Sequence, residues 1–155
     1  MTDVTLRPLR EDEFEAWSDA HTRRYADGMV GFAGLTREAA ARKAASDVSS
    51  VLPAGLATEG VRLWALEDEG GRVVGSVFLG IREGSAWLYD IVVNEAERGR
   101  GVGRAAMVAL EEEIRRLGFG TVGLNVWGGN EVARSLYRSL GYVEQSVEMV
   151  KSLEP

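Results

Sequence analysis

The sequence predicts an α/β (α+β) fold in which a mixed, largely antiparallel sheet is flanked by helices. Segments with strand and helix periodicity follow one another in the order β-α-α-β-β-β-α-β-α-β. Two short glycine-containing turns, at 69–71 and 83–85, join strand-like runs as hairpins. The length of 155 residues suits one core, so we expect residues 1–155 to form a single domain.

The chain opens with a strand and a helix. The run 4–9 alternates in polarity, which is typical of a half-buried strand. Asp12 and Glu15 have the spacing of a capping box, which predicts the start of the first helix. The inner face of that helix carries Phe14, Trp17 and His21.

A second, alanine-rich helix is predicted from Thr36 to about Leu52, where the Pro53-Ala54-Gly55 segment stops it. The stretch from Asp27 to Gly34 combines glycines with Met and Phe. We expect it to be a linker between the two helices, either a mobile flap over the substrate or a simple connection.

Three strands are predicted next. Strands at 61–67 and 72–81 flank the Glu69-Gly70-Gly71 turn, which is a strong hairpin signal. A second turn at Glu83-Gly84-Ser85 leads to a strand at 87–93.

A glycine-rich turn follows this strand and carries the most informative pattern of the chain, Arg98-Gly99-Arg100-Gly101-Val102-Gly103-Arg104. It opens a helix whose apolar residues repeat at spacings of three and four until Gly118. Backbone N–H groups and the positive helix end converge at such a turn, so it suits an anion. The spacing matches neither the dinucleotide-binding glycine pattern nor a P-loop. The alternative is an ordinary strand-to-helix turn with solvated arginines.

The last third predicts a strand, a helix and a strand. The first strand covers 121–126, and Asn130 is placed as the N-cap of a helix that Gly141 closes. A final strand is expected from Tyr142 to about Ser152. The apolar stripe of the helix consists of Ala133, Leu136, Tyr137 and Leu140.

Two patterns together resemble the acetyl-CoA-binding half of the Gcn5-related N-acetyltransferase (GNAT) family: Arg98-x-x-Gly101-x-Gly103 and Asn130-x-x-Ala133-x-x-Leu136-Tyr137-x-x-Leu140-Gly141-Tyr142. The resemblance is specific over residues 86–143 and topological before them. It implies the fold of that family, with acetyl-CoA as cosubstrate and an amine as acceptor. It also implies cofactor-binding roles for the main chain of Ile91, Val92 and Val93, for the turn residues Arg98, Gly99, Arg100, Gly101, Val102, Gly103 and Arg104, and for Asn130 and Tyr137.

The resemblance also implies catalytic roles. Tyr137 matches the tyrosine acid of the family, and its neutral phenol can protonate the departing thiolate. A backbone N–H of Val92 or Val93 can stabilise the oxyanion. Several protein N-terminal acetyltransferases of the family carry a glutamate base where this chain has Asn125, and an amide cannot accept that proton. Asp90 is the best remaining carboxylate, acting directly or through water; a hydrogen-bonded structural aspartate is the alternative.

The expected activity is acetyl transfer to a primary amine by direct attack in a ternary complex. Because Asn125 replaces the usual base, an alternative is an acyl-CoA-binding sensor or carrier domain of the same fold with little or no turnover. The donor can also be a longer acyl-CoA. The sequence leaves the acceptor open between a small-molecule amine, such as an antibiotic, a polyamine or an amino acid, and a protein N-terminus or lysine.

The amino-acid composition limits which cofactors, partners and cellular locations we expect. With no cysteine, the chain has no disulfide and no acetyl-cysteine intermediate. The single histidine, His21, is expected to be packed or substrate-facing, and we expect no metal. The net charge of −6 disfavours nucleic acid and anionic membranes as partners. The chain shows no export signal and no membrane-length apolar run, so we expect a cytoplasmic protein; a homodimer is left open.

Overall fold

A computed structural model describes residues 2–155. The chain divides into two compact units, one that ends at Asn125 and one from Val126 to Pro155. The first unit contains β1 (Thr5–Pro8), α1 (Glu11–Ala33), α2 (Arg37–Val51), β2 (Val61–Glu67), β3 (Val73–Arg82), β4 (Ser85–Val93), α3 (Val102–Arg116) and β5 (Val122–Leu124). The second unit contains α4 (Glu131–Ser139).

The five strands form one sheet in the order β1-β2-β3-β4-β5. The first three pairings are antiparallel, whereas β4 and β5 pair in parallel from Ala86 to Leu88 of β4. The register between β3 and β4 shifts once, because Phe78 pairs with Asp90 while Leu79 pairs with Leu88. Tyr89 is therefore an extra residue in β4, a β-bulge. This sheet confirms the predicted fold class.

Helix α1 packs on one face of the sheet. Trp17 meets the Phe78 ring edge-on at 5.4 Å between centroids, and both belong to a buried cluster with Leu52 and Leu63. Side chains alternate along a strand, so Val77 and Leu79 point to the opposite face, where both are fully buried. Helix α3 contacts β1 and β4 and contributes a buried stripe of Val102, Ala106, Met107, Leu110 and Ile114.

Two expectations for the helical region are wrong. Helix α1 begins at Glu11, and the Arg10 backbone N–H donates to the Glu13 carboxylate at 2.9 Å, so Asp12 and Glu15 are not its cap. The predicted linker from Asp27 to Gly34 is helical as far as Ala33. Met29 on this stretch is only 2% exposed, and its burial outweighs the low helix propensity of the nearby glycines.

The C-terminal strand expected from Tyr142 to about Ser152 is absent, since residues 142–155 have no regular secondary structure. The second unit contains no strand that could pair with this segment. Its apolar side chains are correspondingly open to solvent, as in Met149 and Val150, which are 89% and 91% exposed. An unpaired strand leaves its backbone groups to water and gains no cross-strand packing.

Candidate functional site

The glycine-rich turn leads directly into α3. Gly99 and Gly101 have φ of 77° and 81°, in the left-handed region that favours glycine, and Gly101 is the N-cap of the helix. The Ala105 N–H donates to the Gly101 carbonyl at 3.0 Å, which closes the first helical turn. Within residues 2–155, the N–H groups of Gly101, Val102 and Gly103 have no protein acceptor. These donors and the helix dipole favour an anion at this end of α3.

The arginines of the turn have different roles. Arg98 donates from Nε to the Val93 carbonyl at 3.1 Å and thereby links the turn to the end of β4. Arg100 lies 3.6 Å from a Glu97 carboxylate oxygen, and Glu97 also pairs with Arg72 at 3.0 Å. Glu97 therefore offsets part of the positive charge that the sequence places here, so the backbone donors are the stronger feature for an anion.

Beyond Leu88, β4 has no pairing with β5, because β5 ends at Leu124. The Asn94 N–H donates to the Val74 carbonyl at 2.8 Å, so the backbone groups of Asn94 point toward β3. Backbone groups alternate in direction along a strand. Those of Val92 therefore also point toward β3, and those of Ile91 and Val93 point to the edge that β5 leaves open.

Asp90 lies at the centre of a polar cluster that joins β4 to α1. One oxygen, Oδ2, is 3.1 Å from His21 Nδ1 and 2.9 Å from Arg24 Nη2. Burial acts to raise the pKa of Asp90, but the hydrogen bond with His21 and the positive charge of Arg24 outweigh it and hold that pKa below its usual value. Asp90 is thus an ionised carboxylate at neutral pH.

The sequence predicted a packed or substrate-facing His21, and the structure shows it packed against aromatic side chains. The sequence-based prediction gave no role to Arg24. The available signal was helical spacing, since Trp17, His21 and Arg24 lie four and three residues apart on one face of α1. The pairing with Asp90 is a contact between residues 66 positions apart, which no local pattern encodes.

The second unit holds the other two predicted residues. The Asn130 side chain accepts a hydrogen bond from the Ala133 N–H at 3.3 Å, which confirms it as the N-cap of α4. Tyr137 is half-buried and lies 5.7 Å from the Tyr142 ring. In the first unit, Asn125 follows β5 and is exposed.

Between Thr2 and Pro155 the structure shows no group of three or more His, Asp or Glu side chains arranged to hold a metal ion. Over the same residues, no helix combines the length and the apolar character needed to span a membrane.

Comparisons with known proteins agree with this architecture. The sequence profile of the Acetyltransferase (GNAT) family matches residues 5–142. A Bacillus subtilis (strain 168) protein named uncharacterized N-acetyltransferase YycN is 29% identical over 154 residues, which cover 97% of this chain and 99% of that protein. The crystal structure of YycN superposes with a TM-score of 0.93 over 98% of this chain and 99% of YycN.

Two further proteins are similar over less of the sequence or in fold alone. The ribosomal protein bS18-alanine N-acetyltransferase of Escherichia coli (strain K12) is 36% identical over 62 residues, 40% of this chain and 42% of that enzyme. AAC(6')-Iy, solved in complex with the bisubstrate analogue CoA-S-monomethyl-acetylneamine, has a TM-score of 0.64 at 14% identity, over 98% of this chain and 99% of that one.

Proposed function

Because the chain belongs to the Acetyltransferase (GNAT) family, we propose that it transfers an acetyl group from acetyl-CoA to a primary amine by direct attack in a ternary complex. The observation that carries this proposal is the pairing of two features in one unit. The glycine turn offers unpaired N–H donors at the start of α3, and Arg98 ties that turn to the open edge of β4. We take residues 1–155 to act as one N-acetyltransferase domain.

In this proposal the turn from Arg98 to Arg104 holds the pyrophosphate of CoA. The pantetheine arm, an amide-containing chain, pairs with the open edge of β4 as an added strand would. Ile91 and Val93 supply the outward backbone groups, and Val92 supports them through its bonds to β3. Asn130 contributes near the pantetheine, as its match to the family motif suggests.

The chemistry follows from the charge that develops during attack. The amine nitrogen bonds to the thioester carbonyl carbon, and a backbone N–H at the β4 edge, for which we select Val93, stabilises the oxyanion. The C–S bond then breaks, and Tyr137 protonates the thiolate. Asp90 belongs to the machinery that removes the proton from the acceptor. The role of Tyr137 rests on its match to the tyrosine of the family.

Several kinds of amine remain candidates for the acceptor, whereas the proposed donor is acetyl-CoA. The name of the Escherichia coli relative specifies an alanine of a ribosomal protein, and by analogy a protein N-terminus is one candidate. Lysine side chains and small-molecule amines are the others. The net charge of −6 favours a cationic acceptor of any of these kinds.

Thiol release tests the proposal. Purified protein and acetyl-CoA are incubated with a panel of N-terminal peptides, a lysine peptide, a polyamine and an aminoglycoside. We expect amine-dependent release of CoA together with an acetylated product detected by mass spectrometry. Binding of acetyl-CoA without turnover on any amine would instead support the sensor or carrier alternative.

A further inference from the structure

The His21 imidazole is held on three sides by aromatic rings. It stacks on Trp17 with 4.9 Å between centroids and an interplanar angle of 7°. Phe78 meets it edge-on at 5.6 Å, and Tyr25 lies nearly parallel at 6.5 Å. Trp17 is itself anchored, since its Nε1 donates to Ser76 Oγ at 3.1 Å. The packing therefore fixes the plane of the imidazole, as a residue that moves a proton requires.

The hydrogen bond to Asp90 fixes the tautomer of this ring. An ionised carboxylate accepts hydrogen bonds and cannot donate one. His21 Nδ1, at 3.1 Å from Asp90 Oδ2, must therefore carry the hydrogen. In the neutral ring the lone pair then lies on Nε2.

The Nε2 atom that carries this lone pair is not fully buried. Among residues 2–155, the Asp90 contact is the sole hydrogen bond of the His21 side chain. The same part of the chain contains no fully buried side-chain nitrogen or oxygen that lacks a partner. Since Nε2 lacks a partner, it must reach solvent, although the side chain as a whole is only 11% exposed.

Asp90 of this pair also adjoins, along β4, the edge to which we assign the cofactor. Asp90 directly precedes Ile91, the first residue whose backbone groups point to the open edge of β4. Among residues 2–155, the imidazole bonds Asp90 of β4, and Arg24 of α1 donates to the same carboxylate oxygen. The Tyr25 hydroxyl is engaged elsewhere, with Asp47 of α2 at 2.8 Å. The carboxylate can therefore stabilise an imidazolium while Arg24 keeps it in place.

We propose that His21 is the general base of the reaction and that Asp90 and Arg24 are its positioning residues. This inference rests on the proposed acetyl transfer and deepens it. Nε2 accepts one proton from the ammonium of the acceptor, and the neutral amine then forms the C–N bond. The attacking nitrogen loses a second proton as the C–S bond breaks. Tyr137 gives its own proton to the thiolate, and the second proton reaches Tyr137 through water and replaces it. The imidazolium returns its proton to water, so the balance is one amide, one thiol and one released proton.

The test uses His21→Asn in the full-length protein, because the asparagine amide can still donate to Asp90 while the basic nitrogen is lost. With the best amine of the acceptor panel, kcat should fall by roughly 10²- to 10⁴-fold, the usual range for general acid–base catalysis. Acetyl-CoA affinity by calorimetry should not change. Thr22→Ala, on the same helix but outside the cluster, is the matched control and should keep the parental kcat.

A second comparison tests whether Asp90 positions the imidazole for catalysis or only stabilises the fold. Asp90→Asn should lower kcat in the parent but add little in the His21→Asn background, because Asp90 acts through the imidazole. Losses that multiply in the double variant would overturn that role. Parental kcat in His21→Asn, with chemistry rate-limiting, would overturn the base assignment alone. Failure of the parent to acetylate any amine would overturn the proposed function, and the inference with it.

A third measurement is made on the parental protein and needs no acceptor. It therefore tests the inference even if the His21→Asn variant does not fold. His21 is the single histidine of the chain, so its imidazole ¹⁵N signals are unambiguous. We expect the neutral ring to be protonated at Nδ1 and unprotonated at Nε2. The opposite tautomer would overturn the inference, because Nε2 would then have no lone pair to accept a proton.

Discussion

Gly75 provides a sharp test of how the β4 edge is held in place. A Cβ built on Gly75 would lie 2.1 Å from the Val92 carbonyl oxygen and 3.1 Å from Leu66 Cδ1. The first neighbour is a backbone atom, so no side-chain rotation can relieve the contact. To reach 3.4 Å, where ordinary contacts begin, the two strands must separate by about 1.3 Å at this position.

Such a shift breaks the pairing of β3 with β4 where Val92 supports the proposed cofactor edge. We therefore expect Gly75→Ala to destabilise the protein by about 3 kcal/mol, the upper end of the usual cost of overpacking. For a chain of this size, this corresponds to a fall in Tm of roughly 6–12 °C. If the variant remains folded, its affinity for acetyl-CoA should fall at least tenfold, because Val93 moves with Val92.

Thermal unfolding followed by circular dichroism and calorimetry with acetyl-CoA are the two assays. The matched control is Gly120→Ala, where an added Cβ has no neighbour within 4 Å and φ lies outside the left-handed region. The control should unfold within about 2 °C of the parent, as substitutions without a specific clash usually do. A Gly75→Ala variant that matches this control in both assays would refute the account of the β3–β4 edge.

Three further predictions concern the cofactor turn, the acid and the polar cluster. Gly103→Glu places a carboxylate in the first turn of α3, and calorimetry should show acetyl-CoA affinity reduced at least tenfold, about 1.4 kcal/mol; unchanged binding would contradict the pyrophosphate assignment. Tyr137→Phe should lower kcat by roughly 10²- to 10⁴-fold with little change in stability or cofactor affinity, and parental turnover with chemistry rate-limiting would leave protonation of the thiolate to water. The lowered pKa of Asp90 contributes stability that is present above its unfolded value of 3.8 and is lost as pH falls through the folded pKa. Acid unfolding should therefore be shallower in Asp90→Asn, and an identical pH dependence of Tm in the two proteins would show that Asp90 does not contribute.

Local signals in the sequence predicted much of the fold. The β2 strand has the predicted bounds, Val61–Glu67. Thr36 caps α2 by accepting from the Ala39 N–H at 3.2 Å, and Asn130 caps α4 in the same way. These features depend on neighbours within a few residues, so they can be read from spacing alone.

Features set by distant contacts could not be predicted in this way. Gly28 and Gly31 suggested a linker, yet tertiary burial of Met29 keeps the helix intact through them. The strand expected after Tyr142 had the right residue types but lacks a partner in its unit. The charge state of Asp90 depends on His21 and Arg24, which lie on a helix far away in the sequence. Sequence therefore located the candidate groups in the chain but not the neighbours that determine their chemistry.

The extra residue in β4 reverses the sides of the sheet that the following side chains of this strand face. Opposed residues of paired strands share a face, so Leu88 points with Leu79 to one side, and Asp90 points with Phe78 to the other. In a regular strand, residues two apart would share a side, and the Asp90 carboxylate would enter the same apolar layer as Leu88. Because of the Tyr89 bulge, Leu88 and Asp90 face opposite sides of the sheet although they are two residues apart. Leu88 remains in the hydrophobic interior, while the negative charge of Asp90 faces the helix that carries its partners.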